Sequence, residues 1–356
     1  MTAATLTIDL AALRANWRKL ADMVAPAECA AVVKADGYGC GLERVVGALL
    51  AEGCRTFFVA RLSEGLRARA VTAEATVYVL DGLLPGAVAE MRRANLRPAL
   101  GSLPEIAEWT AAGGGPAALH FDTGMNRLGL ALDDAKAALT ALGRAPDLVM
   151  SHFASSEDVV SPDNPAQIER FARLRGMIPN ARASLCNSSG IFLSAHPWLD
   201  VARPGYALYG GNPTPGRPNP MRAVVSLEAP VIQTRRIEAG ERVGYNGQWT
   251  AKRATLLAVI PVGYADGVPR SAMGVDGRPG PDVAIAGVRC PIAGRVSMDL
   301  ICIDATDAPA GAVERGAPVE LLGPTIGVDE FGERAGTIGY EILTSLGRRY
   351  RRVYSD

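Results

Sequence analysis

Residues 1–225 repeat one pattern, a short apolar or β-branched run followed by a stretch of helical periodicity. The runs are "CAAVVK" (29–34), "TFFVAR" (56–61), "TVYVLD" (76–81), "RPALG" (97–101), "AALHFD" (117–122), "DLVMSH" (147–152), "RASLCN" (182–187) and "LDVAR" (199–203). Between them lie helix-like segments such as "GLERVVGALLAEG", "LPEIAEWTAAG" and "PAQIERFARLRGM". Eight strands alternating with helices predict a (β/α)8 TIM-type barrel. An open doubly wound sheet is the alternative. It would more often carry a G-x-G-x-x-G turn after the first strand, and none is present. From Ser226 the texture becomes strand-rich and turn-rich, so residues 226–356 are expected to form an all-β second domain with a short helical piece at residues 328–346. "GGNPTPGRPNP" (210–220) reads as the linker or an exposed loop.

Bulk properties narrow the functional classes. Acidic and basic residues balance at 37 each, so no nucleic acid or other polyelectrolyte partner is implied. No apolar run approaches the ~18 residues of a membrane helix. The opening "MTAATLTIDLAALRANW" lacks a basic segment leading into an apolar one, so no secretory signal is expected. The six cysteines (Cys29, Cys40, Cys54, Cys186, Cys290, Cys302) form no C-x-x-C pair. Reduced thiols in a cytoplasm fit them best, and no metal site is expected.

One count sharpens the chemistry. Only four of the 37 basic residues are lysines: Lys19, Lys34, Lys136 and Lys252. Arginine keeps its proton near neutrality, whereas a desolvated lysine can lose it. Lys34, directly after an apolar run, is therefore either an amine kept for chemistry or a side chain that snorkels at a strand end.

In an eight-fold barrel the site forms where the strands end. The runs above exit into Lys34, Arg61, Asp81, Asp122, His152, Asn187 with Ser188, and Arg203. An amine in that mouth suits Schiff-base chemistry on a carbonyl substrate, or Schiff-base tethering of pyridoxal phosphate. The second also needs a phosphate cradle and a partner for the pyridine nitrogen. "CNSSG" offers Asn187, Ser188 and the start of a helix for the first need. Arg203 could face the ring.

The segment "AVVKADGYGCG" (31–41) resembles the cofactor-lysine segment of alanine racemases. The resemblance runs the length of the chain through "DTGMNRLGL" (122–130), "SHFASSED" (151–158), "LCNSSG" (185–190), "VARPGYALYG" (201–210), "PVGYADGVPR" (261–270) and "GRVSMD" (294–299). It implies a pyridoxal 5'-phosphate enzyme interconverting L- and D-alanine, with D-alanine destined for peptidoglycan. Residue by residue, Lys34 matches the lysine that holds the cofactor as a Schiff base and is the base on one face. Tyr264 matches the base on the other face, which in the family comes from the partner subunit's β domain and makes a homodimer obligatory. Tyr38 and Ser188, with the amides of Gly205 and Tyr206, match the phosphate site. Arg203 matches the arginine at the pyridine nitrogen and His152 the histidine behind it. Arg127 and the backbone of Met298 match groups that bind the substrate carboxylate. His120 stands where many members carry a carboxylated lysine, and Cys40 where histidine is frequent.

The reaction itself favours this assignment. Racemisation removes a proton from one face of the α-carbon and returns one to the other, and two opposed bases avoid moving a single base around the substrate. An arginine at the ring nitrogen keeps its own proton, so the ring stays a weaker electron sink and the carbanion is short-lived. The alternatives are a broad-specificity racemase of the same family and a barrel-type pyridoxal-phosphate amino-acid decarboxylase. The latter would lack "GYADG" and would present an acidic group to the ring nitrogen.

Overall fold

The computed structural model describes residues 4–356, and the chain divides into two compact units. Leu13–Arg222 forms one; the segment ending at Ala12, with Ala223–Asp356, forms the other.

In the first unit seven parallel strands follow one another in sequence order, from Ala31–Val32 to Arg182–Ser184. Residues of Thr56–Val59 are buried on both faces, as expected for strands covered by helices outside and side chains inside. The eighth position is Val201–Ala202. It pairs with Glu28–Cys29, and Val32 N donates to Pro204 O at 2.9 Å. On its other side Asp200 N donates to Ala183 O at 3.0 Å and Arg203 N to Cys186 O at 2.9 Å. The ring therefore closes, and the eight expected strands all lie in it.

The helices follow the expected segments. Leu42–Glu52, Leu103–Ala111 and Ala135–Leu142 each bury an apolar stripe, Leu62–Val71 buries the small residues Gly65 and Ala68, and Asp163–Met177 buries Asn164 and Gln167 along with Phe171 and Leu174. Two of them begin with the same device. Glu64, three residues into its helix, accepts from the amides of Ala60 and Arg61 at 2.9 and 3.2 Å. Glu105 accepts from Gly101 N and Ser102 Oγ, both at 2.9 Å. Each carboxylate thus satisfies donors that a helix start leaves open.

The second unit is built mainly of strands. A six-stranded sheet runs Val288–Pro291, Asp282–Ile285, Pro318–Leu322, Val225–Pro230, Thr5–Asp9, Arg351–Ser355. A three-stranded sheet joins Gln233–Ile237, Thr255–Ile260 and Ile301–Asp304. Two short helices, Val328–Arg334 and Gly339–Thr344, occupy the stretch expected to be helical. The structure corrects one boundary. The sequence pattern places residues 1–225 in the barrel domain, but Thr5–Asp9 pairs with Val225–Pro230 on one side and Arg351–Ser355 on the other. Its alternating burial is that of a sheet strand with one covered face.

Asn16 ties down the end of the barrel unit. Its amide nitrogen donates to Leu208 O at 3.1 Å and Arg222 O at 2.8 Å, and its oxygen accepts from Arg222 N at 2.8 Å. Asn16→Ala removes all three bonds from a buried position and should lower unfolding stability by about 2–4 kcal/mol, read by urea denaturation.

Candidate active site

Lys34 leaves the first barrel strand and enters a turn of reversed handedness. Ala35, Asp36, Gly37, Tyr38 and Gly39 all have positive φ, from 51° to 77°. Glycine tolerates this; each residue with a side chain costs about 1–2 kcal/mol there. The surroundings compensate. Glu64 Oε1 accepts from Ala35 N at 2.6 Å. Asp36 Oδ1 accepts from Leu42 N at 3.2 Å and from Arg67 Nη2 at 2.5 Å. The Tyr38 ring stacks on Tyr209 with centroids 4.6 Å apart, and the Tyr209 hydroxyl donates to Val32 O at 3.1 Å.

Around Lys34 the barrel mouth is rich in cations. Burial and then the Arg127 guanidinium push its pKa down, with Arg203 adding to them, while Glu64 and Asp81 oppose. Arg203 is only 3% exposed. Its guanidinium donates to Ser184 Oγ at 2.5 Å and Ser151 O at 2.7 Å, meets His152 Nδ1 at 3.3 Å, and lies 5.7 Å from the Phe58 ring centroid. Burial lowers its pKa to about 10, so it remains protonated at neutral pH. His152 is pushed well below its usual pKa by burial and by Arg203, Lys34, Arg127 and His120. Burial and Arg203 bring His120 down to about 4, with Asp122 opposing. A group of cations around the buried Arg203, with neutral imidazoles beside it, suits a ligand carrying negative charge.

A small cradle lies at the strand-seven and strand-eight exits. Ser188 Oγ accepts from Gly205 N at 3.0 Å and Ala207 N at 3.2 Å. Any Cβ on Gly205 would stand 2.5 Å from the Tyr38 hydroxyl, so only glycine leaves this opening. Ser189 Oγ, next in the chain, is buried without a hydrogen-bond partner. Hydroxyls, backbone amides and a nearby amine form a donor set that fits the phosphate and aldehyde ends of pyridoxal phosphate. The expected residues Lys34, Tyr38, His152, Ser188, Arg203 and Gly205 are thus gathered at one end of the barrel. Tyr206 opens the short helix Tyr206–Tyr209. Asn187 serves the loop, its oxygen accepting from Ser156 Oγ and Gly190 N, both at 2.8 Å. Arg127 is exposed at the end of a loop that Asp122 shapes by accepting the amides of Gly124, Met125 and Asn126, each at 2.8 Å.

In the β unit, Tyr264 and Met298 sit on neighbouring loops. Tyr264 N donates to Ser297 O and Ala265 N to Met298 O, both at 3.0 Å. The approach is so close that a Cβ on Gly263 would lie 2.3 Å from either of those carbonyl oxygens. Tyr264 is 42% and Met298 53% exposed, and with Arg270, Arg295 and Asp299 they line a cavity of about 450 Å³. Asp266 braces the turn by accepting Gly263 N at 2.9 Å and pairing with Arg349 at 3.2 Å. Sequence reasoning missed Glu64, Ser184 and Tyr209. Glu64 alone had a signal, as the third residue of a helix start.

The alanine racemase N-terminal domain family matches residues 8–213 and the alanine racemase C-terminal domain family residues 224–354. The chain is 54% identical to the alanine racemase of Methylobacterium nodulans, covering 99% of this chain and 96% of that relative. It is 52% identical to that of a Methylobacterium species, strain 4-46, covering 99% and 98%. Among solved structures, alanine racemase from Bartonella henselae with covalently bound pyridoxal phosphate superposes with a TM-score of 0.93 at 39% identity over 100% of both chains.

The buried imidazoles set a pH dependence. His120 ionises near 4 when folded and near 6.5 when unfolded, so protons favour the unfolded chain between those values. Its contribution is complete above pH 6.5 and is lost as pH falls through about 4, up to ~3 kcal/mol. Denaturation midpoints should decline over that window, and His120→Gln should flatten the decline.

Proposed function

Because this chain belongs to the alanine racemase family, we propose that Lys34 and Tyr264 are the two bases with which it interconverts L- and D-alanine. The enzyme is a pyridoxal-phosphate-dependent isomerase of a small amino acid. The carrying observation is Lys34 itself, an amine at a barrel-strand exit whose pKa is driven down by burial and by Arg127. When bound, the cofactor acidifies the α-carbon of the amino acid joined to it. Every other requirement falls on the protein.

Ser188, the amides of Gly205 and Tyr206, and the Tyr38 hydroxyl would hold the phosphate. Arg203, locked by Ser184 and Ser151, would meet the ring nitrogen while keeping its proton, with His152 neutral behind it. Arg127 and the Met298 amide would take the substrate carboxylate. On one face Lys34 Nζ takes or returns the α-proton; on the other, Tyr264 Oη does. His120 excludes a carbamate at its position, leaving Arg127 free of that anchor.

We further propose a homodimer in which Tyr264 and Met298 serve the partner's Lys34. Their exposure, with that of Tyr245 and Leu300 on the same unit, supports this. All six cysteines are free thiols, which supports a cytoplasmic setting. No helix among the described residues is long and apolar enough to cross a membrane. Supplying D-alanine for peptidoglycan is the role this reading assigns, in keeping with the bacterial relatives.

Lys34→Ala and Tyr264→Phe should each lower the interconversion of L- and D-alanine, read by polarimetry, by at least about 100-fold. Mixed and re-associated, the two inactive variants should recover roughly a quarter of wild-type activity, since half the dimers then carry one intact site. No recovery in verified mixed dimers would sink the shared site.

A further inference from the structure

The turn that carries Lys34 closes its own backbone hydrogen bonds, such as Gly39 N to Ala35 O at 2.9 Å and Gly41 N to Asp36 O at 2.8 Å, but the amides of Ala35 and Asp36 are answered from outside it. Three of its residues with side chains, Ala35, Asp36 and Tyr38, stand at positive φ. Two of these are held from a single neighbouring helix, Leu62–Val71. Its Glu64 accepts from Ala35 N at 2.6 Å and Asp36 N at 3.4 Å through one oxygen, and from Ala60 N and Arg61 N through the other. One turn further along, Arg67 binds the Asp36 carboxylate and is itself held by Glu43 at 2.6 Å. One carboxylate thus couples the residue directly after Lys34 to the exit of the next barrel strand.

The barrel contains its own comparison. Glu105 occupies the same place in the helix Leu103–Ala111 and reaches back in the same way, accepting from Leu83 N at 2.9 Å. The loop it holds carries no residue of the proposed site. A carboxylate that only completes a helix start and ties two loops is what Glu105 represents.

We propose that Glu64 is a positioning residue for Lys34, fixing the reversed turn so that the amine is presented at a set place in the barrel mouth. This rests on Lys34 being the cofactor lysine. A glutamine at position 64 offers one acceptor where the carboxylate offers two, and turns an N–H towards amides that already donate. It also removes one of two negative charges near the amine. The charged groups facing Lys34 are Arg127, Arg203, Glu64 and Asp81, with the neutral His152 beside them.

The test uses the full-length chain, stripped of cofactor and re-supplied with pyridoxal 5'-phosphate. Borohydride is added at intervals, and the label on Lys34 is counted by peptide mass spectrometry across neutral and alkaline pH. For Glu64→Gln the plateau rate should fall about tenfold, the loss expected for a charge-assisted bond to the turn, and the pH midpoint should move down. Glu105→Gln should lower the melting temperature and leave both unchanged. If Glu64→Gln does not fold, Glu64→Asp keeps the charge and shortens the reach, so its rate should drop with the midpoint in place. Lys34 labelling within twofold of Glu105→Gln, or for Glu64→Asp within twofold of wild type, overturns the inference alone. A wild-type label on any other residue overturns it together with the proposed function.

Discussion

A cation can sit at the end of a buried strand only if its charge is answered or removed. In this barrel mouth both happen. Arg203 is answered by a hydroxyl, a carbonyl and an imidazole nitrogen, so it stays charged at 3% exposure. Lys34 is pushed towards the neutral form by burial and by the two arginines. Burial, and then the same cations, keep His120 and His152 unprotonated at neutral pH. Such an imbalance of charge suits an anionic ligand, and the cofactor and proton chemistry proposed for Lys34 would draw on it.

The field works because the backbone holds it in place. Side chains at positive φ are costly, and the chain accepts that cost directly beside Lys34. Glu64, Asp36, Arg67 and the Tyr38–Tyr209 stack share the compensation. Such concentration of strain beside Lys34 accords with its proposed role, for which a precise amine position matters more than local stability.

The barrel was legible because each strand is a compact apolar run with a polar exit, a local property. Lys34 stood out for the same reason, sharpened by the scarcity of lysine. The N-terminal strand was not legible as part of the second unit. Its pairing partners lie at Val225–Pro230 and Arg351–Ser355, and no local period reports a contact so distant in sequence. The reversed turn was also hidden, since Gly37 and Gly39 announce a turn but not that Ala35, Asp36 and Tyr38 share its handedness. Tyr264 came from its motif alone; periodicity says nothing of an aromatic residue on a short loop.

The strand Thr5–Asp9 lies between one strand begun just after the barrel and one that ends a residue before the chain does. During synthesis it emerges before the barrel segment, yet its last neighbour, Arg351–Ser355, is made only after that segment and most of the second unit. The barrel segment can collapse as soon as Arg222 is out, while the sheet must wait for Arg351–Ser355. A nascent chain that stalls late would hold a finished barrel and an incomplete sheet with an open edge, the form in which aggregation is most to be expected.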